Sequence, residues 1–384
     1  MVLLLLYLMM LVGAFCFPES KKLAFLLFSL FCFLFAFGRY QGDYQTYLLI
    51  YSGFNSGLYI REFEPLFSLT FWIAAKIGLS FVAYRLVMGL FICISMYRII
   101  ARHTSCVALA SAVYGLFPFF MYTTVLRSGV ACIFVLLAIE QLIKECPDKK
   151  RFVLLVLIAT LFHYSSILFL LLVLFDDNIR ETSFILVFIV GLALAFIINY
   201  TSIPYKIVSL FTSRQKTLQW FSKSDASANF NGILGIAIIL VSMYALSKYN
   251  LMVSSCFSLE RTGETSGAAQ IVLGNESSPC LEPDRLVIIS YKLSLMMFLY
   301  FPLMVLASPF TRLPFMVYVL VIISTVNMGR DAQLRENSEL RPGVVSFSWI
   351  VLVAVTLVWK IYFDLPYLKE GSSFFWEYLD VSFI

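Results

Sequence analysis

Long runs of apolar residues recur from one end of this chain to the other, and nothing else in it constrains the fold as strongly. They cover residues 2–17, 22–38, 65–77, 82–97, 104–122, 128–143, 152–175, 183–199, 232–247, 286–310, 313–327 and 344–363. In the core of a bilayer every backbone N–H and C=O must be bonded within the protein, so only helices and closed barrels cross it. Barrel strands alternate apolar and polar residues in units of about ten, and these runs do not alternate. The expected fold class is an all-α integral membrane protein, with about 10 transmembrane helices and two re-entrant or broken elements. Composition points the same way. Charged residues make up 13% of the chain, hydrophobic residues 61%, and the mean hydropathy is +0.89. A soluble domain carries about 25% charged residues. The whole chain, 1–384, reads as a single polytopic membrane domain whose first partner is the lipid bilayer.

The net charge of +5 sits in the connections between runs, so it speaks of orientation and not of nucleic acid. The eight cysteines are scattered, and Cys16, Cys32, Cys93 and Cys132 lie inside apolar runs, where Cys is a small hydrophobe. No CxxC pair or His/Cys cluster has metal-ligand spacing, so neither a metal nor a cofactor is expected. The run 2–17 lacks the charged start and small-x-small cleavage site of a signal peptide and is read as a helix.

Short basic connections stay on the cytoplasmic side. Ser20-Lys21-Lys22, Arg98 to His103, and Lys144 to Arg151 are three of them. If all three face the cytoplasm, the helix 22–38 ends outside and the helix 82–97 begins outside. The stretch 39–81 then starts and finishes on the outer face. Its one apolar run, 65–77, is short for a span, which needs about 17–25 residues. Residues 39–81 are therefore expected as an outer-face re-entrant element. The run 152–175 is interrupted by His163-Tyr164-Ser165-Ser166 and reads equally as one span or as a broken pair. The single span would put 200–231 in the cytoplasm, and the broken pair would put it outside. Residues 248–285, rich in Ser, Gly, Thr and Glu, read as a loop.

Charged groups at membrane depth are costly, which makes a few residues stand out. Arg39 and Asp43 lie in Gly38-Arg39-Tyr40-Gln41-Gly42-Asp43-Tyr44, just past an outward helix end. Glu64 precedes Pro65 at the mouth of the short run. Arg127 opens a helix that runs inward, where free N–H groups and a guanidinium fork suit a phosphate. A snorkelling Arg at the lipid boundary would occupy the same position. His163 interrupts an apolar run. It is either a buried imidazole satisfied by a neighbouring hydroxyl or a proton carrier. The other histidine, His103, is expected as a solvated loop residue. Asp43 and Glu64 read either as ion-pair partners of nearby arginines or as general bases. Arg312 sits between two apolar runs, flanked by Pro309 and Pro314.

The order of these segments resembles the EpsG/Wzy-type family of bacterial polysaccharide (O-antigen) polymerases. The resemblance is carried by Arg39…Gly42-Asp43-Tyr44…Tyr47, Glu64-Pro65-Leu66-Phe67, Leu126-Arg127-Ser128-Gly129-Val130-Ala131 and Ile158 to Ser166. Arg312 followed by Tyr318 extends it. Two departures are that Gly42 directly precedes Asp43 and that Ser128, not Gln, follows Arg127. The resemblance implies an enzyme of the bacterial inner membrane that serves O-antigen, lipopolysaccharide or exopolysaccharide synthesis. It would transfer a glycan from undecaprenyl pyrophosphate to a lipid-linked repeat unit at the periplasmic face. It further implies an undecaprenyl-pyrophosphate-linked oligosaccharide and a chain-length regulator as partners. Arg127, with Arg39 and Arg312 in support, would hold the pyrophosphate. His163 or Asp43, with Glu64 next, would serve as the base. It also favours the broken pair for 152–175, and with it a periplasmic loop at 200–231 and a cytoplasmic loop at 248–285.

A transporter or flippase for the same lipid-linked glycan is the competing class, because intramembrane arginines and broken helices suit transport too. The chain shows no internal repeat and no paired interrupted segments in two halves. A membrane acyltransferase built on His163 lacks a neighbouring His or Asp.

Overall fold

The computed structural model describes residues 2–38, 43–56, 63–174, 181–200, 226–269, 285–306, 308–334 and 348–358. Among them there are helices and turns and no strands. The chain divides into two compact units, Met1–Leu174 with the segment from Ile350, and Phe175–Trp349.

The first unit begins with α1 (Val2–Cys16) and α2 (Lys21–Phe37), followed by two short helices, α3 (Tyr44–Asn55) and α4 (Pro65–Lys76). Then come α5 (Phe81–His103), α6 (Val107–Leu116), α7 (Pro118–Thr124), α8 (Leu126–Ile143) and α9 (Lys149–Phe162). A 3-10 helix over Tyr164–Leu174 closes the series. The starts follow local chemistry. The Ser20, Ser80 and Asp148 side chains accept the N–H groups of Leu23, Ala83 and Arg151 at 3.2, 3.2 and 3.0 Å. These are orphan donors that a helix N-terminus must satisfy. The breaks are equally local. Pro118 starts α7 where α6 has ended, and His163, with φ −156° and ψ 110°, ends α9 in extended backbone. Gly78, at φ 73°, turns α4 into α5 in the left-handed region that only glycine enters without strain. Gly115 lets Phe31 of α2 lie against the α6 backbone, where any Cβ would collide with that ring.

Three turns lie together at one end of this unit. The N–H groups of Ala108 and Leu109, at the start of α6, donate to Pro18 between α1 and α2 at 2.9 and 3.3 Å. At the C-terminal end of α5, Arg102 Nη1 donates to Glu140 Oε2 of α8 at 2.6 Å, and His103 Nε2 lies 2.9 Å from Glu140 Oε1. The turn into α9 is closed by Asp148 N–H donating to Gln141 at 3.1 Å. This is the end that carries Lys21, Lys22, Arg102, Lys149, Lys150 and Arg151, and it is called the basic end below. His103, expected as a solvated loop residue, is instead the last residue of α5, with 16% of its side chain exposed. Glu140 is buried in α8, and its carboxylate draws in a cation on one oxygen and the imidazole on the other.

The second unit holds α10 (Glu181–Tyr200), α11 (Ala226–Ala269), α12 (Arg285–Leu306), a 3-10 turn over Ser308–Arg312, and α13 (Leu313–Leu334). A further helix, α14, covers Ser348–Val358, and from Ile350 onward it belongs to the first unit. Neutral polar groups stitch α11, α12 and α13 together. Ser247 meets Ser294 at 2.9 Å, Ser290 meets Ser324 at 2.9 Å, and Asn250 Nδ2 donates to Thr325 at 2.9 Å. All six residues are fully buried. Between membrane helices, where apolar contact offers little preference over lipid, such bonds fix the pairing.

Five helices are long and apolar enough to cross a bilayer: Phe81–His103, Leu126–Ile143, Leu234–Ser255, Arg285–Val305 and Phe310–Arg330. Shorter apolar helices join them, and the protein is a multi-pass membrane protein. One expectation needs correction. Residues 248–269, read as loop, continue α11 without a break. The composition there is polar, but no proline lies between Ala226 and Ala269, and extending a formed helix adds a bond for each residue fixed. The rest of 248–285 before Arg285, and most of the expected loop 200–231, lie outside the described residues; Ala226 onward is already helix.

Candidate functional site

Glu64, Arg127 and His163 come from three separate elements and meet at one point in the first unit. Glu64 is the N-cap of α4, with Pro65 at the first helical position. Its carboxylate makes no capping bond. It is turned instead toward Arg127 Nη1, which donates to Oε2 at 2.5 Å. His163 Nδ1 lies 3.2 Å from the other oxygen, Oε1, and the Tyr164 N–H donates to that same oxygen at 3.4 Å. Glu64 and His163 are each 3% exposed. The extended backbone of His163 carries its imidazole off the axis of α9 and against the start of α4.

Arg127 stands in the first turn of α8, where the chain kinks at Val125 out of α7. Its Nε donates to Tyr47 Oη of α3 at 3.3 Å, and its guanidinium lies 4.6 Å from the centre of the Phe63 ring. Two nitrogens of the guanidinium, Nη1 and Nε, are thus committed to Glu64 and Tyr47. Among the described residues Nη2 donates no hydrogen bond. A guanidinium pinned through two nitrogens, with the third free to donate, is suited to a phosphate oxygen. Burial matters to the energetics: removing one partner of a buried ion pair costs roughly 3–5 kcal/mol, because the other charge is left without compensation.

Helix lengths give the depth of this cluster. α5 and α8 run in the same direction, with Ile92 against Gly129 and Arg102 and His103 against Glu140. At 1.5 Å per residue, Arg127 stands about 20 Å from Glu140, whereas Phe81 stands about 32 Å from Arg102. The cluster therefore lies about 12 Å below the end of α5 that is remote from the basic end. α4 accounts for the descent. It starts at Glu64 beside Arg127 and leads through Gly78 to Phe81, with Phe71 and Thr70 against Tyr84 on α5. Aromatic rings fill the space between α3 and α4: Tyr47 on Phe63 and Phe67, and Tyr51 on Phe71.

The remaining residues singled out in the sequence are placed as follows. Asp43 is the half-buried N-cap of α3, one helical turn before Tyr47. Arg39 lies outside the described residues. Arg312 is half-buried in the 3-10 turn of the second unit and is described within that unit alone. Among the described residues no group of His, Cys, Asp and Glu is arranged to hold a metal ion. Two groups were given no role in the sequence reading. Tyr47, quoted there only as part of the motif, and Phe63 touch the Arg127 guanidinium, and Arg85, a buried arginine on α5, contacts Gly38 at the end of α2 and Tyr44 of α3. For Arg85 the signal was present, since it is the charged residue inside the run 82–97.

Comparison with known proteins adds one finding. A family model described as the EpsG family matches residues 22–379. No curated protein and no solved structure matches the chain.

Proposed function

The chain belongs to the EpsG family, of polysaccharide-polymerase-type membrane proteins, and from that premise we propose that it is a polysaccharide polymerase acting at the periplasmic face of the bacterial inner membrane. The substrate is an undecaprenyl-pyrophosphate-linked glycan. A hydroxyl of a lipid-linked repeat unit attacks the anomeric carbon of that glycan. The new glycosidic C–O bond forms as the C–O bond to pyrophosphate breaks, undecaprenyl pyrophosphate leaves, and the hydroxyl proton passes to a protein base. The observation that carries this reading is the buried Glu64–Arg127–His163 cluster, remote from the basic end, with Nη2 of Arg127 left to donate to a ligand. Charge develops on the leaving pyrophosphate, and a preorganised guanidinium in a dry site stabilises it without a metal.

His163 is the base favoured here. With Nδ1 held by Glu64, Nε2 is the ring nitrogen that takes the proton, and the carboxylate stabilises the imidazolium that results. Glu64 has both oxygens engaged, which suits it to holding the other two groups in place. Asp43 is the alternative base. The positive-inside rule supports the periplasmic assignment, since the basic end then faces the cytoplasm.

Arg127→Lys tests the proposal in proteoliposomes supplied with the lipid-linked glycan. A point charge cannot make the same two-sided contacts as the fork, so polymer formation should fall about 100-fold or more while the protein still inserts. Near-normal polymer from this variant would leave Arg127 as a snorkelling residue and remove the basis of the reading.

A further inference from the structure

Arg85 is 3% exposed and lies one turn into α5. Its Nη1 donates to the Gly38 carbonyl, at the C-cap of α2, at 2.5 Å. The guanidinium carbon lies 4.7 Å from the centre of the Tyr44 ring, the first residue of α3, and 5.6 Å from that of Phe35 on α2. One side chain therefore holds the chain immediately before residues 39–42 and immediately after them. The environment suits a cation. The carbonyl end of a helix carries partial negative charge, and a guanidinium gains from an aromatic face.

Burying a guanidinium carries a desolvation penalty that an apolar side chain between Phe35 and Tyr44 would not. The contacts lead toward the site. Tyr44, Tyr47 and Tyr51 recur on one face of α3. Tyr44 and Tyr51 pack on Phe81, and Tyr51 on Tyr84, in the first turn of α5. Tyr47, between them, accepts the Nε–H of Arg127.

We propose that Arg85 is a positioning residue for the pyrophosphate site: it braces Gly38 and Tyr44, and through α3 and Tyr47 it sets the orientation of the Arg127 guanidinium. Its catalytic consequence rests on the polymerase reading, whereas the bracing of α3 does not. Arg85 is buried and would act through these contacts, not on the substrate itself. Through Tyr47 it fixes how the Arg127 guanidinium is turned, and so where Nη2 is presented to the phosphate.

The test uses the full chain with Arg85→Met and Arg85→Lys, read in two ways. In hydrogen exchange, Arg85→Met should speed the α3 amides about tenfold or more, leaving α8 and α9 at the wild-type rate. In polymer formation, kcat should fall about tenfold with little change in KM for the lipid-linked donor, since the lost term belongs to the transition state. Arg85→Lys keeps a donor for Gly38 but loses the planar stack, and should recover part of both effects. Unchanged α3 exchange overturns the proposal, and so does a kcat equal to wild type. A rise in exchange across the whole first unit in both variants assigns Arg85 to general packing and overturns it as well. A wild-type protein that makes no polymer would sink the polymerase reading alone, and the exchange result would still decide whether Arg85 braces α3.

Discussion

At the scale of single residues, Glu64 is the hinge of the site, because both of its oxygens are spoken for. Neither Arg127 nor His163 keeps its place if the carboxylate goes. Glu64→Gln should therefore disturb the same unit that Arg127→Lys disturbs, and the double variant should be no worse than the poorer single. Turnover of the three proteins in parallel measures this; losses that multiply would make Glu64 and Arg127 independent. The sequence pointed to Glu64, Arg127 and His163 because each begins or interrupts an apolar run, and a charge there demands an explanation. It did not point to Glu64 as the group that joins the other two, since its partners are 63 and 99 positions away and only the packing of the start of α4 against α8 and α9 brings them together. Arg85 and Glu140 were legible in principle, as charges inside the runs 82–97 and 128–143, but the mean apolarity of those runs concealed them. Glu140 also explains His103, whose place in a basic segment suggested solvent until a buried carboxylate was found beside it.

Among the elements, α3 and α4 were the least predictable. The sequence marked one short apolar run at 65–77, and the structure has two helices, Tyr44–Asn55 and Pro65–Lys76. The tyrosines of α3 are separated by Gln45 and Thr46 and then by Leu48, Leu49 and Ile50, too short an apolar stretch to mark a face, so its packing side is visible only once Phe67, Phe71 and Phe81 lie against it. α9 was the reverse case. Its interruption at His163 stood in the sequence, and the extended backbone there realises it. α11 defied its own composition, because helix continuation needs only the absence of a breaker. If α4 rises from Glu64 to Gly78 without crossing the membrane, a topology reporter fused at Leu79 should behave as periplasmic. One fused after His103 should behave as cytoplasmic. Cytoplasmic behaviour at Leu79 would reverse the side on which the whole cluster is placed.

Over the whole molecule, the distribution of charge was the most legible feature. The basic segments that the sequence put on one side do share one end of the first unit, because short connections leave their charges where the helices stop. The division into two compact units was not legible, since apolar runs look alike whichever neighbours they pack against. The shortness of α8 has a consequence for the membrane itself. If the far end of α5 lies at headgroup height, Arg127 sits about 12 Å below it, and the phosphates of the proposed lipid substrate would stand well above the guanidinium. The leaflet would then have to thin or dimple for the two to meet, and distorting a bilayer costs a fraction of a kcal/mol for each ångström of mismatch. Acyl-chain length then becomes a kinetic variable. In proteoliposomes of short-, medium- and long-chain phosphatidylcholine, kcat/KM for the lipid-linked donor should decline as the chains lengthen. A flat profile would mean that the donor reaches Arg127 without bending the leaflet. A decline would mean that the elasticity of the surrounding lipid helps set how fast sugar chains grow.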